Sequence, residues 1–553
     1  MRPSTVGRKG LLVLLFSVML APLAAQAPPS KQTVGVPMQD GKKLATDIYL
    51  PTGQGKFPVI LARTPYDKAG GAGFGMDGVK HGYAVVVQDT RGRWASEGEN
   101  LPFIGDGWWE GHQDGSDTLE WLIKQPWCNG KIGTWGGSAL GITQLGLAGT
   151  GTKLVSAQQI VVGAPNFYPY LTFPGGVFKK AMIEDWLAAT KHDPKATQFW
   201  SAHPTFDSFW KQFDMSSRWG KVNTPAVHLG GWYDIFGQGT IDSFVGYQTK
   251  GGVRARGKQV LVMGPWTHGV LQNKAGELTF PNGSRPPNKV SDTWLWFDYH
   301  LKGIQNGFAE MPAVTYYVMG DTSDPRAPGN VWRTADAWPP MPTKATPLYL
   351  ASEKKLILFK PKQAANFTYT YDPANPTPTA GGPQLTLPSG AVEQSKVESR
   401  SDVVVFTSDI LAEPLEVTGR VTAKLWISST ALDTDFTVKL CDVYPDGRSY
   451  NICEGVLRTR FRKGFDREVF LKVGEVVPVE IDLWSTSILF NKGHRLRVQV
   501  ASSSFPGYDP NPNTGAGFRA NAERRVAQNT IHTGSKFPSY VLLPIPIQSK
   551  EGN

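Results

Sequence analysis

Six short apolar runs, at 57–62, 83–88, 131–135, 159–162, 226–229 and 259–263, recur between helix-like stretches. This alternation constrains the fold more than any other feature, because strands separated by helical crossovers build a parallel sheet with both faces covered. The run is preceded by a hairpin-like segment, 39–50, turning at Asp40-Gly41. A helix is expected over 117–124, with Asp117 and Glu120 as a capping box and Pro126 as a stop. Residues 164–222 interrupt the alternation. They carry a helix-period set (Val177, Phe178, Ala181, Met182, Trp186) and further aromatics (Trp200, Phe206, Phe209, Trp210, Phe213), as an inserted cap packed mainly on itself would. After about residue 341 the pattern changes to period two. Val417, Gly419, Val421, Ala423, Leu425 and Ile427 alternate with polar or larger neighbours, as do Leu496, Val498 and Val500, which predicts a β-sandwich of jelly-roll type. The expected layout is a leader (1–27), an α/β domain in two parts (28–163 and 223–340), a helical cap (164–222) and a β-sandwich (341–553).

The leader is read from its order of segments: Arg2, Arg8 and Lys9, then an apolar stretch from Leu11 to Leu20, then small residues through Ala27. That is the pattern of a secretory signal cleaved near Ala25 or Ala27, and its apolar core is shorter than the ~20 residues of a bilayer span. Export to periplasm or medium is the expectation. The formal charge of +10 includes those three leader cations. Spread over a chain of this length and without a Lys/Arg run, the remainder argues against a nucleic-acid or membrane-surface partner. Three cysteines, Cys128, Cys441 and Cys453, are too few for a disulfide scaffold or a cysteine-rich zinc site. Cys441 and Cys453 flank the turn Tyr444-Pro445-Asp446-Gly447, so they fall on adjacent strands, offset by two positions if Pro-Asp-Gly forms the loop. A bridge between them is left open.

The run 131–135 leads into Gly136-Gly137-Ser138-Ala139-Leu140-Gly141. A serine on a sharp strand-to-helix turn needs small neighbours, because strand, helix and the adjacent strand crowd the backbone there. By itself the motif is weak. A serine hydroxyl also needs a base, and the base needs a carboxylate to fix its tautomer; on an α/β sheet the chain order is Ser, acid, His. The run 226–229 enters Gly230-Gly231-Trp232-Tyr233-Asp234, and the run 259–263 enters Gly264-Pro265-Trp266-Thr267-His268. Ser138, Asp234 and His268 thus stand in the required order, each just past a strand end, where open α/β sheets place ligands. His228 lies mid-strand and is read as structural.

Further segments extend the pattern: Arg63-Thr64-Pro65-Tyr66, Gln88-Asp89-Thr90-Arg91-Gly92 with Ser96-Glu97-Gly98, Gln125-Pro126-Trp127-Cys128-Asn129-Gly130, and Ser503-Ser504-Phe505-Pro506 with Asn511-Pro512-Asn513-Thr514. With these the chain resembles, over nearly all of its length, the family of cocaine esterase and X-prolyl dipeptidyl peptidase-like hydrolases, which includes α-amino-acid ester hydrolases and glutaryl-cephalosporin acylases. The resemblance implies an α/β-hydrolase fold with helical cap and jelly-roll domain. It implies Ser138 as nucleophile, His268 as base, Asp234 as orienting acid, and an oxyanion hole shared by the Tyr66 hydroxyl and the Ala139 N–H. Many relatives have tyrosine where this chain has Ala139, so the backbone donor is kept while the pocket wall differs. Asp89 and Arg91 are read as loop-fixing residues.

The expected activity is cleavage of small-molecule carboxylic esters through an acyl-enzyme, with no cofactor or metal. An acylase or X-prolyl dipeptidyl peptidase-type amide hydrolase using the same residues is the alternative, and a non-catalytic binding protein using the β-domain a more remote one. The stretch after Asp234, Ile235-Phe236-Gly237-Gln238, offers no carboxylate to a substrate ammonium, which argues against α-amino substrates and dipeptidyl peptidase activity.

Overall fold

The computed structural model describes residues 30–108, 111–520 and 522–547, so the expected leader lies outside the described residues. Eight strands form most of the first sheet: β1 (Ser30–Pro37), β2 (Lys43–Leu50), β3 (Phe57–Thr64), β4 (Ala84–Asp89), β5 (Cys128–Gly137), β6 (Val155–Val161), β7 (Ala226–Gly231) and β8 (Val260–Gly264). Their order is β1-β2-β4-β3-β5-β6-β7-β8, continued by Val314–Val318 and Val331–Ala335 to make ten. From β4 to Val314–Val318 the pairing is parallel, with antiparallel strands at both edges. Every residue of β4, β7 and β8 is buried, which is why these strands read as unbroken apolar runs rather than as alternations.

The first crossover helices are α1 (Ala72–Lys80), α2 (Asp114–Leu122) and α3 (Ala139–Gly149). Helix α2 begins earlier than the sequence pattern suggests, and no side chain caps it. Asp114 in its first turn is fully buried and binds Arg91 through both oxygens, at 2.6 and 3.0 Å. The Asp117 carboxylate instead accepts from the Gln39 N–H at 2.9 Å, so the capping-box reading of Asp117 and Glu120 is corrected. A buried ion pair fixed the start of the helix where the local motif did not.

Between β6 and β7 stand α4 (Lys180–Ala189), α5 (Lys195–Ser201) and α6 (Ser208–Lys211). Phe178, Trp200, Trp210 and Phe213 are fully buried in one cluster with residues of α3. After β7 comes α7 (Gly237–Lys250). No helix of the described residues is long and apolar enough to cross a membrane.

From Thr343 onward the chain forms a second sheet of eleven strands, antiparallel except where Lys355–Ile357 runs alongside Val404–Ser408. Its longest member, Leu415–Ser429, pairs with Val477–Phe490, Ala527–Thr533 and Tyr540–Pro546. Val417, Val421, Ala423, Leu425 and Ile427 all point into the core. Thr418 departs from the alternation: it is buried, and its hydroxyl shares a 2.9 Å hydrogen bond with that of Ser487. Cys441 faces Asn451 and Cys453 faces Leu440 across a bulge, and all three cysteines are free.

The two sheets share a core in which Trp232, Tyr233 and Val314–Val318 pack with β-domain residues such as Leu440, Ile481 and Ile488. Backbone bonds stitch the junction: Met319 N–H donates to Ser487 O (2.9 Å) and Leu489 N–H to Met319 O (2.8 Å). The loop ahead of α4 meets the β-domain more tightly still. Gly175, at φ 58°, would place a Cβ 1.7 Å from the Val456 carbonyl oxygen. Backbone cannot yield as a flexible side chain can, so Gly175→Ala is expected to lower stability by about 1–3 kcal/mol, read as a reduced melting temperature. An unchanged melting temperature would show that this junction is loose.

Candidate active site

Strand β5 ends and α3 begins on either side of Ser138, which sits at φ 57° and ψ −121°, a conformation L-residues avoid. Its N–H donates to Val161 O of the neighbouring strand at 2.9 Å, while its own carbonyl accepts from Gly141 and Ile142. The turn is therefore pinned from both sides. Small residues make that possible: a Cβ on Gly136, itself at φ 143°, would lie 2.4 Å from Leu140 Cβ, and one on Gly141 would lie 3.0 Å from Val161 O.

The ends of β7 and β8 are locked together by Trp232 N–H to Gly264 O (3.0 Å) and Tyr233 N–H to Trp266 O (2.9 Å). This lock sets Asp234 and His268 side by side. His268 Nδ1 lies 2.6 Å from Asp234 Oδ1, and His268 Nε2 lies 2.8 Å from Ser138 Oγ. A carboxylate only accepts, so Nδ1 carries the proton and Nε2 is left to accept from the serine hydroxyl. Asp234 is fully buried, and its other oxygen accepts from Phe236 N–H at 3.0 Å. The structure thus brings Ser138, His268 and Asp234 into one hydrogen-bonded chain. His228 is elsewhere: burial holds its imidazole neutral, with the pKa pushed down to about 3, and its nearest polar partner is Gln259 at 3.4 Å.

Ala139 is buried at the first position of α3, where a backbone N–H has no intrahelical acceptor. Tyr66 lines the same cavity as Ser138 and Ala139. Its loop is held by Arg93 Nε (3.1 Å) and Trp94 Nε1 (3.0 Å), both donating to Pro65 O, and by the Lys68 N–H donating to Asp89 at 2.6 Å. Asp89 and Arg91 therefore act on loops and on α2, away from Ser138.

Phe103, Ile142, Leu171, Met182, Ile183, Trp186, Ile235, Phe236 and Leu385 complete the cavity wall. It is apolar and narrow, about 20 Å³, close to one water. No lining residue is charged. Leu385 comes from the β-domain and Phe103 from the loop ahead of α2, and nothing in their local sequence marks them, since they meet only through the tertiary fold. Trp186 belongs to the helix-period cap set; it is half-buried, lining this cavity while stacking on Phe103 and on Trp200 of the cap. Among the described residues no group of His, Cys, Asp and Glu is arranged to hold a metal ion.

Lys179, just ahead of α4, is a further residue the sequence did not single out. It is buried, and its ammonium has no hydrogen-bond partner among the described residues, with only the Trp484 ring 5.8 Å away. Burial pushes its pKa down to about 8, partly opposed by the charges of Asp234 and Glu454. A lysine depressed in this way penalises the folded state while charged, below about pH 8. The penalty fades as pH rises toward the unfolded value of 10.5. Lys179→Met is accordingly expected to be more stable at pH 7, by on the order of 2–3 kcal/mol, with the advantage shrinking by pH 9.5 in thermal melts. A variant less stable at pH 7 would mean that Asp234 and Glu454 outweigh the burial cost.

Comparison with known proteins matches residues 40–196 and 180–270 to the X-Pro dipeptidyl-peptidase (S15 family) model, and 306–542 to the X-Pro dipeptidyl-peptidase C-terminal non-catalytic domain. Cocaine esterase of Rhodococcus sp. (strain MB1 Bresler) is 34% identical over 93% of this chain and 98% of that enzyme. Two solved structures superpose with a TM-score of 0.79: an aminopeptidase from a marine sediment archaeon, Thaumarchaeota (26% identical, 96% of this chain, 99% of the other), and an α-amino acid ester hydrolase (25%, 96% and 100%). The C-terminal model begins ahead of Val314–Val318, so it includes the last two strands of the first sheet, in keeping with the shared core. With its strand order, its cap and its β-domain, the chain belongs to the cocaine esterase and X-Pro dipeptidyl-peptidase family of α/β-hydrolases.

Proposed function

We propose that the protein is a serine esterase in which Ser138 is the nucleophile, His268 the general base and Asp234 its orienting acid. The observation that carries this is the unbroken chain from Ser138 Oγ through the imidazole to a buried carboxylate, at 2.8 and 2.6 Å. Ser138 Oγ attacks the ester carbonyl carbon as its proton passes to His268 Nε2. The resulting imidazolium is stabilised by Asp234, and the oxyanion by the Ala139 N–H and the Tyr66 hydroxyl. Collapse of the tetrahedral species expels the alcohol, which takes the proton from Nε2 and leaves Ser138 acylated. Water then repeats the sequence, with His268 again as base, to release the acid.

The lining of the cavity supports an apolar acyl group. An α-ammonium placed there would be buried without a counter-charge, which is costly, so aminopeptidase-like and amino-acid ester substrates are disfavoured. A relative 34% identical over 93% of this chain is named an esterase, which favours the ester reading over the amide one. An acylase or peptidase activity on the same residues is the second reading, favoured by the family model and by the aminopeptidase superposition.

A panel of esters and amides, varied separately in acyl and leaving group, tests both. Esters with apolar acyl groups are expected to turn over faster than matched amides, and Ser138→Ala to lose about 10³- to 10⁶-fold in kcat together with labelling by a fluorophosphonate. Undiminished labelling of the variant would sink the assignment, and faster amide cleavage the preference for esters. We further propose export, with the hydrolase halves, cap and β-domain arranged as residues 28–163 with 223–340, 164–222 and 341–553. An intact mass of the secreted protein starting after Ala25 or Ala27 is expected; retention of residues 1–27 would refute cleavage.

A further inference from the structure

Tyr66 is 38% exposed. A phenol in that position is free to turn toward water, which would make it a poor preorganised donor. One polar contact restrains its hydroxyl: Trp186 Nε1–H, from α4 of the cap, donates to Tyr66 Oη at 3.0 Å, with the two rings edge-on at 6.4 Å. An indole can only donate. The bond therefore occupies a lone pair of the phenol and leaves its proton available for another acceptor.

The indole itself is held firmly. Trp186 stacks parallel to Phe103 (5.8 Å) and to Trp200 (6.3 Å), with the His192 ring 4.9 Å away. The cap and the Tyr66 loop are also tied through their backbones by one buried guanidinium. Arg93 donates to Pro65 O beside Tyr66 (3.1 Å), to Lys191 O just beyond α4 (3.1 Å) and to Thr190 O. The cation closes the carbonyl end of α4, where its charge is favoured by the helix dipole.

We infer that Trp186 is a positioning residue for the oxyanion hole: docking of the cap aims the Tyr66 hydroxyl at the carbonyl oxygen bound over Ser138. Accepting a hydrogen bond also polarises the phenol, so its O–H becomes the better donor. The inference rests on the proposed roles of Ser138 and Tyr66, and it makes the cap part of the chemical step as well as a wall of the pocket.

The test is a double-mutant cycle with Trp186→Phe, which keeps an aromatic ring in the stack and removes the N–H, and Tyr66→Phe, on an activated ester of an apolar acid. Tyr66→Phe alone is expected to lose about 10²- to 10³-fold in kcat. Trp186→Phe is expected to lose about five- to tenfold in kcat with KM little changed, the scale of one hydrogen bond. In the Tyr66→Phe background it should lose nothing more. If the Trp186→Phe loss multiplies with that of Tyr66→Phe, or falls on KM alone, this inference is overturned while the oxyanion role of Tyr66 stands. If Tyr66→Phe leaves kcat unchanged, the reading beneath it fails as well. Should Trp186→Phe melt early, the benzothienyl analogue of tryptophan at 186 preserves the stack and lacks only the N–H, and the same loss is expected of it.

Discussion

The site depends first on the close approach of β5, β6 and α3 around the backbone of Ser138. The Ser138 N–H is bonded to Val161 O, and the φ of 57° is held because Gly136 and Gly141 leave room on both sides. Strain of this kind costs on the order of 1–3 kcal/mol and survives only where the surroundings overdetermine it. Here they do so with backbone hydrogen bonds from the neighbouring strand β6 and from the first turn of α3. What the strain supports is a side chain lifted above the sheet edge, within reach of His268 and beside the first free N–H of α3.

Around that turn the remaining parts come from five places in the chain. The β7 and β8 loops supply Asp234 and His268, the β3 loop supplies Tyr66, the cap supplies Trp186 and the β-domain supplies Leu385. The β-domain is no mere appendage to this arrangement. Tyr233, next to Asp234, donates to Asn451 O at 3.1 Å, and Gln238, in the first turn of α7, accepts from Ser485 N–H at 2.8 Å. Bonds of this sort tie the segment that carries the proposed acid to the β-domain.

Electrostatically the site is divided. The cavity wall is free of charge, while the charges that do lie close by are buried behind it: Asp234 against His268, and Lys179 near Asp234 and Glu454. Farther off in the interior, Arg91 ties the loop after β4 to α2 through Asp114, and Arg63 of β3 holds Asp106 of the loop ahead of α2 (2.6 Å each). Such pairs contribute little net stability once desolvation is counted, but removing one partner would strand a charge. They define where loops sit, as the misplaced start expected for α2 illustrates.

The fold class and the order Ser138, Asp234, His268 could be read from the sequence because each depends on local signals. Strands buried on both faces are continuously apolar, turns at strand ends need glycine, and one-sided strands such as Leu415–Ser429 alternate. The family resemblance pointed to Tyr66 and the Ala139 N–H through short motifs, and both residues line the cavity that holds Ser138. Contacts between segments distant in sequence leave no such trace. Trp186 looked like any core residue of a cap helix, Leu385 like any residue of a β-domain loop, and Lys179 like a surface cation, because spacing within a helix or strand says nothing about which foreign element it will meet. The start of α2 was set by an ion pair from Arg91, 23 residues away, and not by its own capping motif. Local chemistry therefore determined which polar residues stand at the strand ends, and tertiary packing alone decided what surrounds them and which hydroxyl the Trp186 N–H meets.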